Sequence, residues 1–244
     1  MPDTPLRRIL AALVLMGLAH GAWAGGVFGL SPLRLNLSAQ APMGAFTLVN
    51  SGDVPVVVQA QPMAWRQADG RDLQEPTRAL LVNPAIVSLA PGERQVVRVA
   101  LRAAPDRRAE TGYRMLFTEV PQAGDSASSA TTVRIIKRMD VPVFVAPVDG
   151  APRSAGAIAA QTTGDLLDLS FSNEGTGHWR LGDLKVLDAT SGATLGPTTL
   201  VSVLPGGMRR LELRLGARRA PEKVVVEADV DGQPFRTELA VGRR

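Results

Sequence analysis

Cysteine is absent from all 244 residues, histidine occurs only twice, and aromatic residues make up 4%. Without cysteine there is no disulfide, no thiolate nucleophile, no Fe–S cluster and no Cys-based zinc site. Of the two histidines, His20 lies in an N-terminal segment expected to be removed, and His178 stands alone beside a glycine-rich turn and Trp179. A Ser–His–Asp arrangement needs a positioned partner pair, so His178 reads as structural. No HExxH, GxSxG or phosphate-cradling glycine motif is present. Asp165 and Asp168 could suggest a paired-carboxylate hydrolase, but acidic residues at a strand start usually face solvent. Nothing points to a cofactor or a metal. Few aromatics and no basic block also argue against nucleic-acid binding.

Long apolar runs are missing except near the start. Arg7 and Arg8 precede the apolar stretch Ile9–Ala19, and Ala22-Trp23-Ala24 has the small-x-small form of a signal cleavage site. That stretch is short of the roughly 20 residues a spanning helix needs. Residues 1–24 therefore read as a signal peptide, and the mature chain, expected to start at Gly25, reads as exported and soluble. Its loss removes Arg7, Arg8 and Asp3 and lowers the formal charge from +4 to +3. Most of the remaining charge reads as a scattered solvated surface.

The mature chain has apolar runs punctuated by turn residues. Hydrophobic residues are 45% and charged residues 20%, with 18 Pro and 24 Gly spread along the chain; this is a globular composition, not a disordered one. Leu33, Leu35 and Leu37 alternate with Arg34 and Asn36. Val97, Val99 and Leu101 alternate with Arg98 and Arg102. Turn signals stand at Asn50-Ser51-Gly52-Asp53, Asp69-Gly70, Pro91-Gly92, Asn173-Glu174-Gly175 and Pro205-Gly206-Gly207. Strands are expected at 54–59 with a continuation at 63–65, and over 113–120, 133–147, 166–171, 179–187, 210–215, 224–230 and 235–241. No long segment has helical periodicity. The pattern predicts an all-β chain of two immunoglobulin-like β-sandwich domains in tandem, over 25–148 and 149–244, with a linker near Asp149-Gly150-Ala151-Pro152. Residue types alone leave open an assembly chaperone, an exported structural or adhesive surface protein, and a hydrolase on a sandwich scaffold.

Five stretches carry a resemblance in order along the first half. They are Leu30–Leu37, Asn50–Pro55, Leu89-Ala-Pro-Gly-Glu-Arg-Gln-Val-Val-Arg98, Tyr113–Pro121 and Val143-Phe-Val-Ala-Pro147. Ser172–Gly177 and Val203–Gly207 add to it in the second half. The set resembles the periplasmic pilus chaperones of the chaperone–usher pathway, in their divergent, archaic-type branch. The resemblance implies a periplasmic chaperone, without ATP or metal, that binds pilus subunits and delivers them to an outer-membrane usher. It would lend its last first-domain strand, G1, to the open groove of a client lacking a strand of its own.

That strand would be Val133–Val145. Val133 and Ile135 are the implied groove-filling side chains, with Met139 on the same parity. Arg34 matches the family's arginine for the client's C-terminal carboxylate. Pro142 stands where the partner lysine is expected, and Arg98, Arg134 and Arg138 are alternative anchors. Arg98 and Glu110 match positions associated with internal ion pairs. Ala146 replaces the arginine expected near the end of G1, which implies an altered interdomain network.

Overall fold

The computed structural model describes residues 28–121, 136–216 and 219–243. The proposed signal segment and Val133, Arg134 and Ile135 lie outside these. The first half forms β1 (Phe28–Ser31), β2 (Leu35–Leu37), β3 (Met43–Asn50), β4 (Val56–Ala68), β5 (Arg71–Pro76), β6 (Leu80–Asn83), β7 (Ile86–Leu89), β8 (Arg94–Leu101), β9 (Thr111–Glu119) and β10 (Arg138–Val145). The second half forms β11 (Gly156–Thr163), β12 (Leu166–Asn173), β13 (Trp179–Asp188), β14 (Thr199–Val203), β15 (Met208–Arg214), β16 (Lys223–Val230) and β17 (Gln233–Arg243). All regular structure among the described residues is β, in two β-sandwich domains.

In the first domain one sheet runs β1-β3-β8-β6 and the other β2-β10-β9-β4-β5, with β7 also paired to β4. The inward parities fill one core, including Phe46, Leu48, Val58, Val97, Val99, Met115, Phe117, Val141 and Val143. Phe46 and Phe117 meet edge-on across it, with ring centroids 5.3 Å apart. The strand expected at 54–59 with its continuation at 63–65 is one strand, 56–68. Pro62 sits opposite Met115 within it, and the chain turns only at Asp69-Gly70. Both of those residues have positive φ, as a two-residue hairpin turn requires. In the second domain the order is β14-β13-β16-β17-β11-β12-β15, around Leu169, Phe171, Trp179, Leu181, Val224 and Val226.

The two domains share one corner. At the end of β3, buried Asn50 donates through Nδ2 to the carbonyls of Val54 and Leu89 (2.8 and 3.1 Å) and accepts from the Gly52 N–H (3.0 Å). At the end of β12, buried Asn173 donates to the carbonyls of Gly177 and Val203 (2.8 and 3.1 Å) and accepts from Gly175 and Ala155 (3.0 and 2.9 Å). Each Asn backbone also clasps a Pro-Gly turn. Gly92 N–H donates to the Asn50 carbonyl at 2.9 Å, and Gly206 N–H to the Asn173 carbonyl at 2.8 Å. Gly92 and Gly206 have φ of 77° and 67°, the left-handed position that follows Pro in a type II turn.

Candidate functional site

The site lies where β10 meets the edge of its sheet and the second domain. Antiparallel register fixes which side chains share a face. Val141, Val143 and Val145 of β10 point into the core, while Arg138, Asp140, Pro142 and Phe144 point outward. Met139 is on the inward parity, half-buried at the rim of the first-domain core. β10 begins at Arg138, later than the 133 start expected from sequence: Ile136 and Lys137 are described and lie outside the strand.

β10 is hydrogen-bonded along its whole length to β9, but β2 covers only Val143–Val145. Residues 138–142 therefore have no strand partner on that side among the described residues. Arg34 directly precedes β2 and is exposed. One step back along the parallel register Leu35↔Val143 brings it level with Pro142. Pro142 in turn faces Arg114 of β9. Pro142 and Arg114 are thus partners on adjacent strands, and Arg34, just ahead of β2, lies next to the same row, with the two arginine backbones about 10 Å apart at ordinary strand spacing.

Arg114 escaped the sequence reading because one arginine within an apolar strand looks like a solvated face; only the β9–β10 register puts it beside Pro142. Its guanidinium carbon sits 3.7 Å from the centre of the Trp65 ring, a cation–π contact, and its Nη1 is 3.5 Å from Asp140 Oδ1. Burial pushes the guanidinium below its ordinary value; Asp140 and Asp72 oppose that shift, and Arg209 adds to it.

The other expected anchors fall elsewhere. Arg98 lies on the opposite sheet between Ala45 and Asn83, exposed to solvent and without an ion pair among the described residues. Arg138 is exposed at the start of β10. Glu110 does form an internal pair, but with His178, whose Nδ1 is 2.6 Å from Glu110 Oε1. The His178 backbone N–H donates to the same oxygen at 3.1 Å, and Glu110 N–H donates to the Thr176 carbonyl at 2.8 Å.

The His178 ring stacks on Phe144 of β10, with centroids 3.6 Å apart and planes 5° from parallel. Phe144, Trp65 and Leu204 form a small buried cluster between the domains. Gly112 lets Leu204 close in, since a Cβ there would lie 2.8 Å from it. Gln67 ties the domains as well, donating to the Ser202 carbonyl at 2.8 Å and accepting from Leu204 N–H at 2.9 Å. Where Ala146 leaves the sequence without a cation, the junction is held by this His–Glu pair and aromatic stack. His178→Ala should lower stability by about 1–3 kcal/mol, since it removes the side-chain bond to a buried carboxylate and the ring stacked on Phe144 and leaves Glu110 only the backbone donor. Urea unfolding checks this; an unchanged midpoint would show that the pair is dispensable.

Among the described residues no group of three or more His, Asp or Glu is placed to hold a metal, and no helix is long and apolar enough to cross a membrane. Comparison with protein families matches residues 27–150 to the pili and flagellar-assembly chaperones, PapD N-terminal domain. The chain belongs to this family.

Membership points to a non-enzymatic assembly chaperone. No curated protein sequence matches the chaperone, but many solved structures share its fold. One is a chain of the CsuC–CsuE chaperone–tip adhesion subunit pre-assembly complex, from the archaic chaperone–usher Csu pili of Acinetobacter baumannii. It has a TM-score of 0.68 and 18% identity, over 88% of this chain and 99% of that one. The Salmonella enterica SafA pilin–SafB chaperone complex gives a TM-score of 0.60 and 16% identity, over 86% and 95%. The E. coli chaperone DraB gives 0.57 and 18%, over 88% and 97%. The archaic-type branch inferred from the residues fits the first of these.

Proposed function

We propose that this chaperone works in the periplasm, after cleavage following Ala24, and that it holds pilus subunits by donor-strand pairing before passing them to an outer-membrane usher. Residues 25–148 would form the client-holding domain and 149–244 the second domain. The carrying observation is the edge of β10 at 138–142, which has no strand partner among the described residues. An open edge attracts another strand, and pairing with a client strand would satisfy both edges at once. The apolar parity that fills the chaperone's own core at Val141 and Val143 continues, past Met139 at the rim, to Val133 and Ile135, which we assign to the client's groove. Lys137 interrupts that parity, and its Nζ is taken up by the Phe28 carbonyl at 2.6 Å.

The client's C-terminal carboxylate would sit over Pro142, between Arg34 and Arg114. Pro142 adds neither charge nor N–H, so the second cation comes from the neighbouring strand instead. The chaperone co-expressed with a fimbrial subunit encoded beside it should purify as an equimolar complex, and that subunit should aggregate alone; a subunit that stays soluble and monomeric alone would sink the proposal. Arg34→Ala should weaken the complex by about ten- to a hundredfold, the range for a charge-assisted bond. An unchanged affinity would move the anchor elsewhere.

A further inference from the structure

Asp140 stands on the stretch of β10 that has no β2-side partner among the described residues, two residues from Pro142 and on the same outward face. Its Oδ2 accepts from Gln74 Nε2 at 2.8 Å. Its Oδ1 approaches Arg114 Nη1 only to 3.5 Å, too long for a good hydrogen bond. Arg114 is 17% exposed along its side chain, and its buried Nε has no acceptor among the described residues. A desolvated guanidinium with an unused donor is short of an anion, because burying a charge without full hydrogen bonding is costly. Asp72 does not fill the gap: its Oδ2 lies 3.2 Å from Arg209, and its Oδ1 accepts from Trp65 Nε1 and Gln67 Nε2.

We infer that Asp140 is an internal stand-in for the client's terminal carboxylate, a loosely held anion that partners Arg114 in the empty chaperone and gives it up on capture. This rests on the reading of Arg34 and Arg114 as the carboxylate anchor. Three features fit the role. Asp140 is diagonal to Arg114 across the β9–β10 ladder, so a long side chain can turn from one acceptor to another. Gln74 keeps hold of Asp140 when the guanidinium leaves. A tethered carboxylate also competes at high effective concentration, so it would screen Arg114 from small solvent anions and yield only to a ligand bound as well by a paired strand. Removing the charge while keeping the shape should therefore tighten client binding, the reverse of what loss of a structural ion pair would do.

The test uses the mature chaperone and an N-acetylated Thr-Val-Thr-Val-Thr-Val peptide, made with a free C-terminal carboxylate and as its C-terminal amide. Asp140→Asn keeps an oxygen for Gln74. It should bind the acid peptide about tenfold more tightly than wild type by calorimetry, with affinity for the amide unchanged. The Arg114 Nε–H resonance, assigned by its absence in Arg114→Lys, should move with the acid peptide only. Asp140→Ala serves as a second variant, with thermal unfolding of both as the folding control. Equal or weaker binding of the acid peptide by a folded variant would overturn the stand-in and make Asp140 an orienting partner of Arg114. If wild type and variants do not distinguish acid from amide, or bind neither, the carboxylate anchor itself fails.

Discussion

Ile135→Asp is expected to abolish client capture while leaving the chaperone folded. Ile135 shares its parity with Val141 and Val143, which are buried in the first-domain core, yet it precedes the start of β10 at Arg138. The proposed donor-strand register assigns it outside that core. A client groove would take its place, and a carboxylate forced into an apolar groove costs about 4 kcal/mol or more, roughly a thousandfold in affinity. The measurement pairs co-purification of a fimbrial subunit with thermal unfolding of the free chaperone. Retained capture by the variant would mean that the lent segment has another register. Val133→Asp should behave alike, and Ile135→Val should lose little, since it stays apolar and close in shape.

Asn173→Ala is expected to destabilise the second domain by about 3–5 kcal/mol. The Asn173 side chain is fully engaged: two donated and two accepted hydrogen bonds, at 1% exposure. Alanine would leave the Gly177 and Val203 carbonyls and the Ala155 and Gly175 N–H groups to find other partners, each unsatisfied buried group costing about 1–3 kcal/mol before relaxation. The loop it pins, 174–177, delivers the Thr176 carbonyl to Glu110 and leads into His178, so the junction should loosen too. Urea unfolding followed by tryptophan fluorescence would report the loss, because Trp65 and Trp179 lie in separate parts of the molecule. A drop below about 1 kcal/mol would mean that water replaces the amide without cost. Asn50→Ala, at the equivalent corner, should weaken the first domain in the same way.

Much of the fold is legible along the chain. The Pro-Gly pairs at 91–92 and 205–206 specify their turns locally, since proline presets one dihedral and glycine tolerates the next. Asn-x-Gly at 50–52 and 173–175 marks both corners. Alternation along Val97–Leu101 and Leu166–Phe171 correctly separates inner from outer faces. The continuation of the 54–59 strand at 63–65 holds: β4 runs through Pro62 from 56 to 68, held by pairing with β9 on one side and β7 or β5 on the other.

The candidate site is legible only in part. Arg34 could be singled out from its own strand, and Pro142 from its place before Val143-Phe-Val-Ala-Pro147. Arg114, Asp140 and the His178–Glu110 pair could not. Glu110 and His178 are 68 residues apart in sequence, and neither carries a local signal of the other. The sequence by itself determined the all-β class, the turn chemistry, the alternating apolar parity along Val141, Val143 and Val145 and the lack of a lysine at position 142. Each follows from preferences a few residues long, in dihedrals, periodicity and side-chain type. Only the tertiary structure decided that Arg34 lies next to the row of Pro142 and Arg114, that Asp140 faces Arg114, and that an aromatic stack and a His–Glu pair join the domains. Those depend on strand register and domain contact, which arise from many distant side chains packing together.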